Sequence, residues 1–209
     1  NVTRGIVQGH DTIQFSGVNV QIVDGSGTTG HDVNGLGNLI VGYNETRNDG
    51  TDNRTGSHNL VVGQRHSYSS DGGLVTGYQN NVLGIYATVS GGQNNTASGD
   101  HASVSGGAQN TASGQHTNVA GGRYNEASGN FSFVGGGGFT TEADGNKAFG
   151  HYSAVLGGRS NLTGDPDLID HTFAQSATVS GGQYNIASGS RTSVSGGSSN
   201  TASGWLASV

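Results

Sequence analysis

An aliphatic residue returns at a nearly fixed interval along this chain, at Ile40, Val61, Val75, Val89, Val104, Val119, Val134, Val155, Val179, Val194 and Val209. The intervals are 21, 14, 14, 15, 15, 15, 21, 24, 15 and 15 residues. The sequence around the anchors repeats too. Ala87 to Gly99, Ala102 to Gly114, Ala177 to Gly189 and Thr192 to Gly204 read almost alike, and Thr117 to Gly129 is a looser copy. A unit of 14–15 residues is too short for a helical pair or a propeller blade. It fits one coil of a β-solenoid, in which short strands alternate with tight turns and each coil is stable only against its neighbours.

Within a unit, Ala87 and Val89 alternate with Thr88 and Ser90. That is the period of a strand with small or apolar side chains inward and hydroxyls outward. Gly91-Gly92 ends it, and a second strand is expected at Thr96-Ala97-Ser98. Six residues after an anchor stands an asparagine, at Asn81, Asn95, Asn110, Asn125, Asn161, Asn185 and Asn200. Asparagine tolerates left-handed backbone, and its amide can bond the equivalent amide of the next coil, so these residues are expected to form a turn ladder. Gly99, Gly114, Gly129, Gly189 and Gly204 are expected to close the second turn. The extra residue of the longer coils is placed between Ala97 and Val104. Leu39-Ile40-Val41, Leu60-Val61-Val62 and Leu74-Val75 read as strands buried on both faces. The segment from Ile13 to Ile22 is strand-like but outside the rhythm. The expected organisation is therefore a strand-rich cap or connector over residues 1–35 and an all-β, parallel β-solenoid (β-roll) over residues 36–209.

Composition supports an ordered repeat. There are 40 glycines, one proline, 11% charged residues and 31% apolar residues, the last well below the roughly 45–50% of a globular domain. Disorder calls for more charge or proline, and collagen for glycine at every third position. With no cysteine there is no disulfide framework. The net charge is -6 without a basic cluster, so no nucleic-acid partner is expected. No apolar run approaches the roughly 18 residues of a membrane span. The chain starts at Asn1 and stops at Val209 inside a repeat, which reads as a piece of a longer protein. Each coil offers one large apolar residue. Burying a valine stabilises by about 1.5–3 kcal/mol, while fixing each residue's backbone costs about 1–2 kcal/mol. So thin a column predicts lateral association of several chains, and three around one axis would close into a homotrimer.

The anchor valines, Gly92, Ala97 and Gly99, and more closely Leu60-Val-Val-Gly63 and Leu74-Val-Thr-Gly77, carry a resemblance. The repeat resembles the head repeats of trimeric autotransporter adhesins, the YadA-like β-roll, over roughly residues 36–209. Gly91 replaces that family's second aliphatic residue, and Asn95 stands where serine is usual. The resemblance implies a left-handed β-roll three chains wide on a bacterial surface, with attachment to host matrix, to cells or between copies as its work.

Three excursions interrupt the rhythm, near residues 43–54, 135–153 and 163–176. Insertions in solenoids project from one face and often bind, so Glu45, Asp49, Asp52, Asp165, Asp167, Asp170 and His171 are the candidate ligand-binding residues. Phe139, Glu142, Asp144, Lys147 and Tyr152 fall in the second excursion. Asp49 and Asp52 hint at calcium but lack EF-hand or nonapeptide spacing, so no cofactor or metal is expected. His101 and His116 occupy equivalent positions, in a column with Tyr86, Phe131, Arg191 and Leu206. Serines and histidines recur with the repeat, no nucleophile–histidine–carboxylate group stands out, and Gly135 to Gly138 lacks the lysine of a phosphate loop. The chain reads as non-enzymatic.

The expected function is a structural and adhesive section of a secreted bacterial surface fibre or trimeric adhesin head. Its partners would be copies of itself and a glycan or protein on a host or neighbouring cell, with no membrane insertion in this segment. Two alternatives stand beside it. One is a single-chain solenoid binding carbohydrate or ice through Thr88/Ser90, Ser103/Ser105, Thr178/Ser180 and Ser193/Ser195, a face interrupted at Asn118 and Ala120. The other is a phage-type or predation tail-fibre segment.

Overall fold

The computed structural model describes residues 2–7, 10–30, 32–165 and 174–209. Strands β1 (Val2–Val7) and β2 (His10–Phe15) form an antiparallel hairpin of their own. From β3 (Leu39–Val41) onward the chain is a parallel β-solenoid, compatible with a β-roll repeat. It has one ten-stranded and one nine-stranded parallel sheet, and each coil after the first, which begins at Leu39–Val41, passes through both. Thr88–Val89 lies in the first sheet and Thr96–Ala97 in the second. One coil later Ser103–Val104 and Thr111–Ala112 pair with them in register. The strand expected from Ile13 to Ile22 stops at Phe15.

Two-residue strands suffice because one side chain of each points inward. Val61, Val75, Val89, Val104, Val119, Val134, Val155, Val179 and Val194 form one column, with at most 1% of their surface exposed. Ala97, Ala112, Ala127, Ala148, Ala187 and Ala202 form the facing column. A valine against an alanine fits the narrow gap between the sheets. The expectation that neighbouring chains complete this interior is corrected: a single chain encloses it. Ile40 (38% exposed) and Val209 (52% exposed) are not core residues, because each lies at an end of the stack with a coil on one side only. Nor are the first strands buried on both faces. Leu39, Val41 and Leu60 are exposed, and Val62 and Leu74 half-buried.

Two corners join the sheets. The first carries the asparagine ladder, which differs from the expected one. Asn95 Nδ2 donates to the carbonyls of Gly91 (3.1 Å) and Gly107 (3.0 Å), and Asn95 Oδ1 accepts the backbone N–H of Asn110 (2.9 Å). Each side chain thus bonds the backbone of its own coil and of the next coil rather than the next side-chain amide, and only Asn200 at the end of the series also donates to an amide, that of Asn185 (3.2 Å). The series is Asn80, Asn95, Asn110, Asn125, Asn146, Asn161, Asn185 and Asn200. Asn81 is not a member. It opens a second-sheet strand, donates to Thr96 Oγ1 (2.9 Å) and accepts from Arg47 (2.5 Å).

The reason lies in the coil length. Val75 pairs with Val89 and Tyr78 with Gln93, so the longer coils gain their residue between the anchor valine and the asparagine, at Gly91. It does not fall between Ala97 and Val104. The left-handed residue of this corner is also not the ladder asparagine but the one before it: Gln79, Asn94, Gln109, Tyr124, Ser160, Tyr184 or Ser199, with φ of 52–59°. Close stacking leaves glycine no substitute at Gly107, where φ is +84° and a Cβ would lie 2.1 Å from the Gly122 carbonyl oxygen.

Candidate functional site

The first and second excursions leave the rod at its first corner, and the third at the second corner. The first folds back on the coils. Arg47 donates to the carbonyls of Arg65 (3.0 Å), Gln79 (3.0 Å) and Asn80 (3.3 Å) as well as to Asn81. Arg54 donates to the carbonyls of Asn44 and Glu45 and pairs with Asp52 at 2.7 Å. Asp52 also accepts the Arg47 N–H at 3.3 Å. Asp49 caps its own turn, accepting from the N–H (3.0 Å) and hydroxyl (2.8 Å) of Thr51. The Thr51 bonds hold its carboxyl below the usual carboxylate range. Two of the three acids expected to bind a ligand are therefore engaged within the loop. Glu45 is half-buried, with its Oε2 lacking a hydrogen-bond partner. In the third excursion Asp165 is half-buried, while Asp167, Asp170 and His171 lie outside the described residues.

The second excursion is shorter than its expected limits. Gly137 still stacks in the repeat, Asn146 resumes the ladder, and Lys147 and Tyr152 belong to the coils. The segment that departs is 139–145, with a single 3-10 turn at Glu142–Asp144. Its anchor is Asp144, a buried carboxylate. It accepts from the Thr141 N–H (2.9 Å) and hydroxyl (2.8 Å), from the Thr140 N–H (3.2 Å), and from Arg159 Nε (2.8 Å). The Thr141 hydroxyl, the Thr141 and Thr140 N–H groups and then the Arg159 charge bring its pKa down to about 2, against some opposition from burial. The Arg159 guanidinium also lies 5.4 Å from the Phe139 ring centre and 5.6 Å from that of Tyr184.

Beside this turn is an open trough of about 290 Å³, lined by Asn94, Gln109, Thr111, Tyr124, Asn125, Glu126 and Glu142. Its floor is the repeat itself and its raised end is the excursion. The sequence names Glu142 within its excursion and Asn125 as a turn residue but does not single out the others, because their side chains differ from coil to coil. The left-handed position just before each ladder asparagine was the available signal.

The second corner carries a ring column. Successive centroids from Tyr86 through His101, His116 and Phe131 to Tyr152 are 5.4, 4.6, 5.0 and 5.0 Å apart, and the last four rings are parallel within 8°. The expected pairing of His101 with His116 is present, and Tyr152 joins the column in place of the residue a shorter coil would have supplied. All five are left-handed. Among the described residues, no group of three or more His, Cys, Asp and Glu side chains is placed to hold a metal ion, and no helix is long and apolar enough to cross a membrane. No family model matches the sequence, and comparison with curated proteins gives no match.

Proposed function

We propose that this chain is a structural and adhesive section of a secreted bacterial surface fibre or trimeric adhesin head, working by attachment and by assembly with copies of itself. The observation that carries the reading is an aliphatic stripe on the outer face of the first sheet. Leu39, Leu60 and Leu74 stand in register, and Val41 and Val62 stand beside them. Later coils place Thr88, Ser103, Thr178 and Ser193 at the leucine position. An outward stripe of this kind, left uncovered by its own chain, is the surface a second and third copy would bury. The uniform rod, with insertions on its corners, suits a spacer that presents contact points along its length.

Sedimentation of the intact chain tests this. Three chains per particle is the expected mass, and L60S/V62S should release monomers with an unchanged far-UV spectrum. A wild-type chain that stays monomeric at micromolar concentration would overturn the oligomeric part of the reading. The hydroxyl column supports the second reading, a single-chain solenoid binding carbohydrate or ice, but Asn118, Phe133 and Ala154 interrupt it.

A further inference from the structure

The trough at the first corner has a geometry that the repeat dictates. Asn94, Gln109 and Tyr124 share one backbone conformation, with φ of 54°, 58° and 59°. They occur in successive coils and their N–H groups donate to the coil before, to Tyr78, Gln93 and Ala108 respectively. A left-handed corner residue turns its side chain away from both sheets. Two amides and a phenol therefore line up along the rod, one coil apart, over about 10 Å. Thr111 and Glu126, paired in register on the second sheet, form the adjoining wall. Glu142, exposed in the 3-10 turn, closes the end. One coil before Asn94, Arg47 of the first excursion occupies the corner by bonding Gln79, Asn80 and Asn81. The two excursions on this edge thus bracket the stretch that remains open.

The lining chemistry is amide, hydroxyl, phenol and carboxylate. These groups satisfy closely spaced hydroxyls, and the tyrosine ring offers an apolar surface to C–H groups. Arg123 lies over that ring at 5.0 Å and donates to Gln109 Oε1 at 3.3 Å, which fixes both side chains before any ligand arrives. Sugar units in an extended β-linked chain advance by nearly the spacing between coils, so successive units meet successive corner residues. Glu126 and Glu142 line the trough itself and disfavour an acidic sugar there, although two cations stand beside them, Lys147 at 3.9 Å from Glu126 and Arg123 over the Tyr124 ring.

We infer that this trough binds a segment of a β-linked glycan built of neutral or amino sugars, lying along the rod axis. The inference rests on reading the rod as an attachment section and supplies the class of molecule attached. Calorimetric titration of the full chain with cellotetraose, the N-acetylglucosamine tetramer, the glucosamine tetramer and a galacturonic acid tetramer tests it. At least one neutral or amino-sugar tetramer should bind, and the acidic one at least about tenfold more weakly. Tyr124→Asn, which places at this corner the residue already found at Asn94, should weaken binding about tenfold, as should Glu142→Ala. Both variants should keep the far-UV spectrum and thermal midpoint. Asn118→Ser, on the first sheet's outer face, should bind as wild type. The inference is overturned if no tetramer binds at millimolar concentration, if binding survives both trough substitutions, or if the acidic tetramer binds as well as the neutral ones. Particle mass separates the two readings. A trimer that binds no tetramer leaves the fibre reading standing, and a monomer that binds through Tyr124 leaves this one standing.

Discussion

His66 Nδ1 accepts the backbone N–H of Asn80 at 3.2 Å, the place that an asparagine Oδ1 fills at each later ladder step. Its Nε2 lies 3.1 Å from the Val62 carbonyl, the counterpart of the bond from Asn80 Nδ2 to the Thr76 carbonyl. The two partners fix the tautomer: Nδ1 must be bare and Nε2 must carry the proton. Histidine opens a ladder that asparagine continues.

That arrangement makes stability depend on pH. Burial is the largest influence on His66 and pushes its pKa below the ordinary value of 6.5, with the Arg47 charge acting in the same direction. The unfolded chain then binds the proton more readily than the folded one. Stability should be fully present above about pH 6.5 and fall as pH drops toward the lower folded value. Denaturant titrations at pH 7.5 and 5.5 measure the loss, and H66N, which cannot titrate, should show a smaller one.

Adjacent glycines should behave in opposite ways. Gly106 has open space where a Cβ would go, whereas Gly107 would drive one against the next coil's backbone. Gly106→Ala should change stability by no more than about 1 kcal/mol. Gly107→Ala should cost more than about 3 kcal/mol or abolish folding. Thermal melts of the two variants decide the matter.

Within the ladder, Asn110→Ala removes the acceptor for the Asn125 N–H and the donors to the Gly106 and Gly122 carbonyls. A buried polar group left unpaired costs about 1–3 kcal/mol. Losses of roughly 2–5 kcal/mol are expected, against less than about 0.5 kcal/mol for the outward Asn118→Ser. Equilibrium unfolding in urea provides the comparison.

The second excursion should resist acid. With the Asp144 carboxyl held at about 2, below its ordinary 3.8, its contribution to stability is present above the ordinary value and lost as pH falls through about 2. Limited proteolysis should find residues 139–145 protected at pH 4. Arg159→Ala, which removes the guanidinium beside Asp144, should speed cleavage there at neutral pH.

Period and alternation were enough to read the coils from the sequence, because Val89 and its counterparts recur with the backbone geometry that buries them. The ladder was misread at its start because it was counted six residues from the valine. Counted three residues from the glycine that turns the corner, Gly63 leads to His66, Gly77 to Asn80 and Gly92 to Asn95. That glycine, not the valine, sets the phase of the corner. Asn146 escaped, and Tyr152 reads as part of the excursion rather than of the ring column, because the 139–145 insertion moves them out of step. The trough was harder to read, since Asn94, Gln109 and Tyr124 share a position before the ladder asparagine and a backbone conformation but no chemical identity.

The ladder bonds between strands of both sheets run along the rod, from one coil to the next. Tension applied between the chain's two ends would load them coil by coil rather than all together. Each released coil would free about 50 Å of extended chain. Under load such a rod would lengthen in even steps, as a shock absorber does, while the coils still stacked kept their grip.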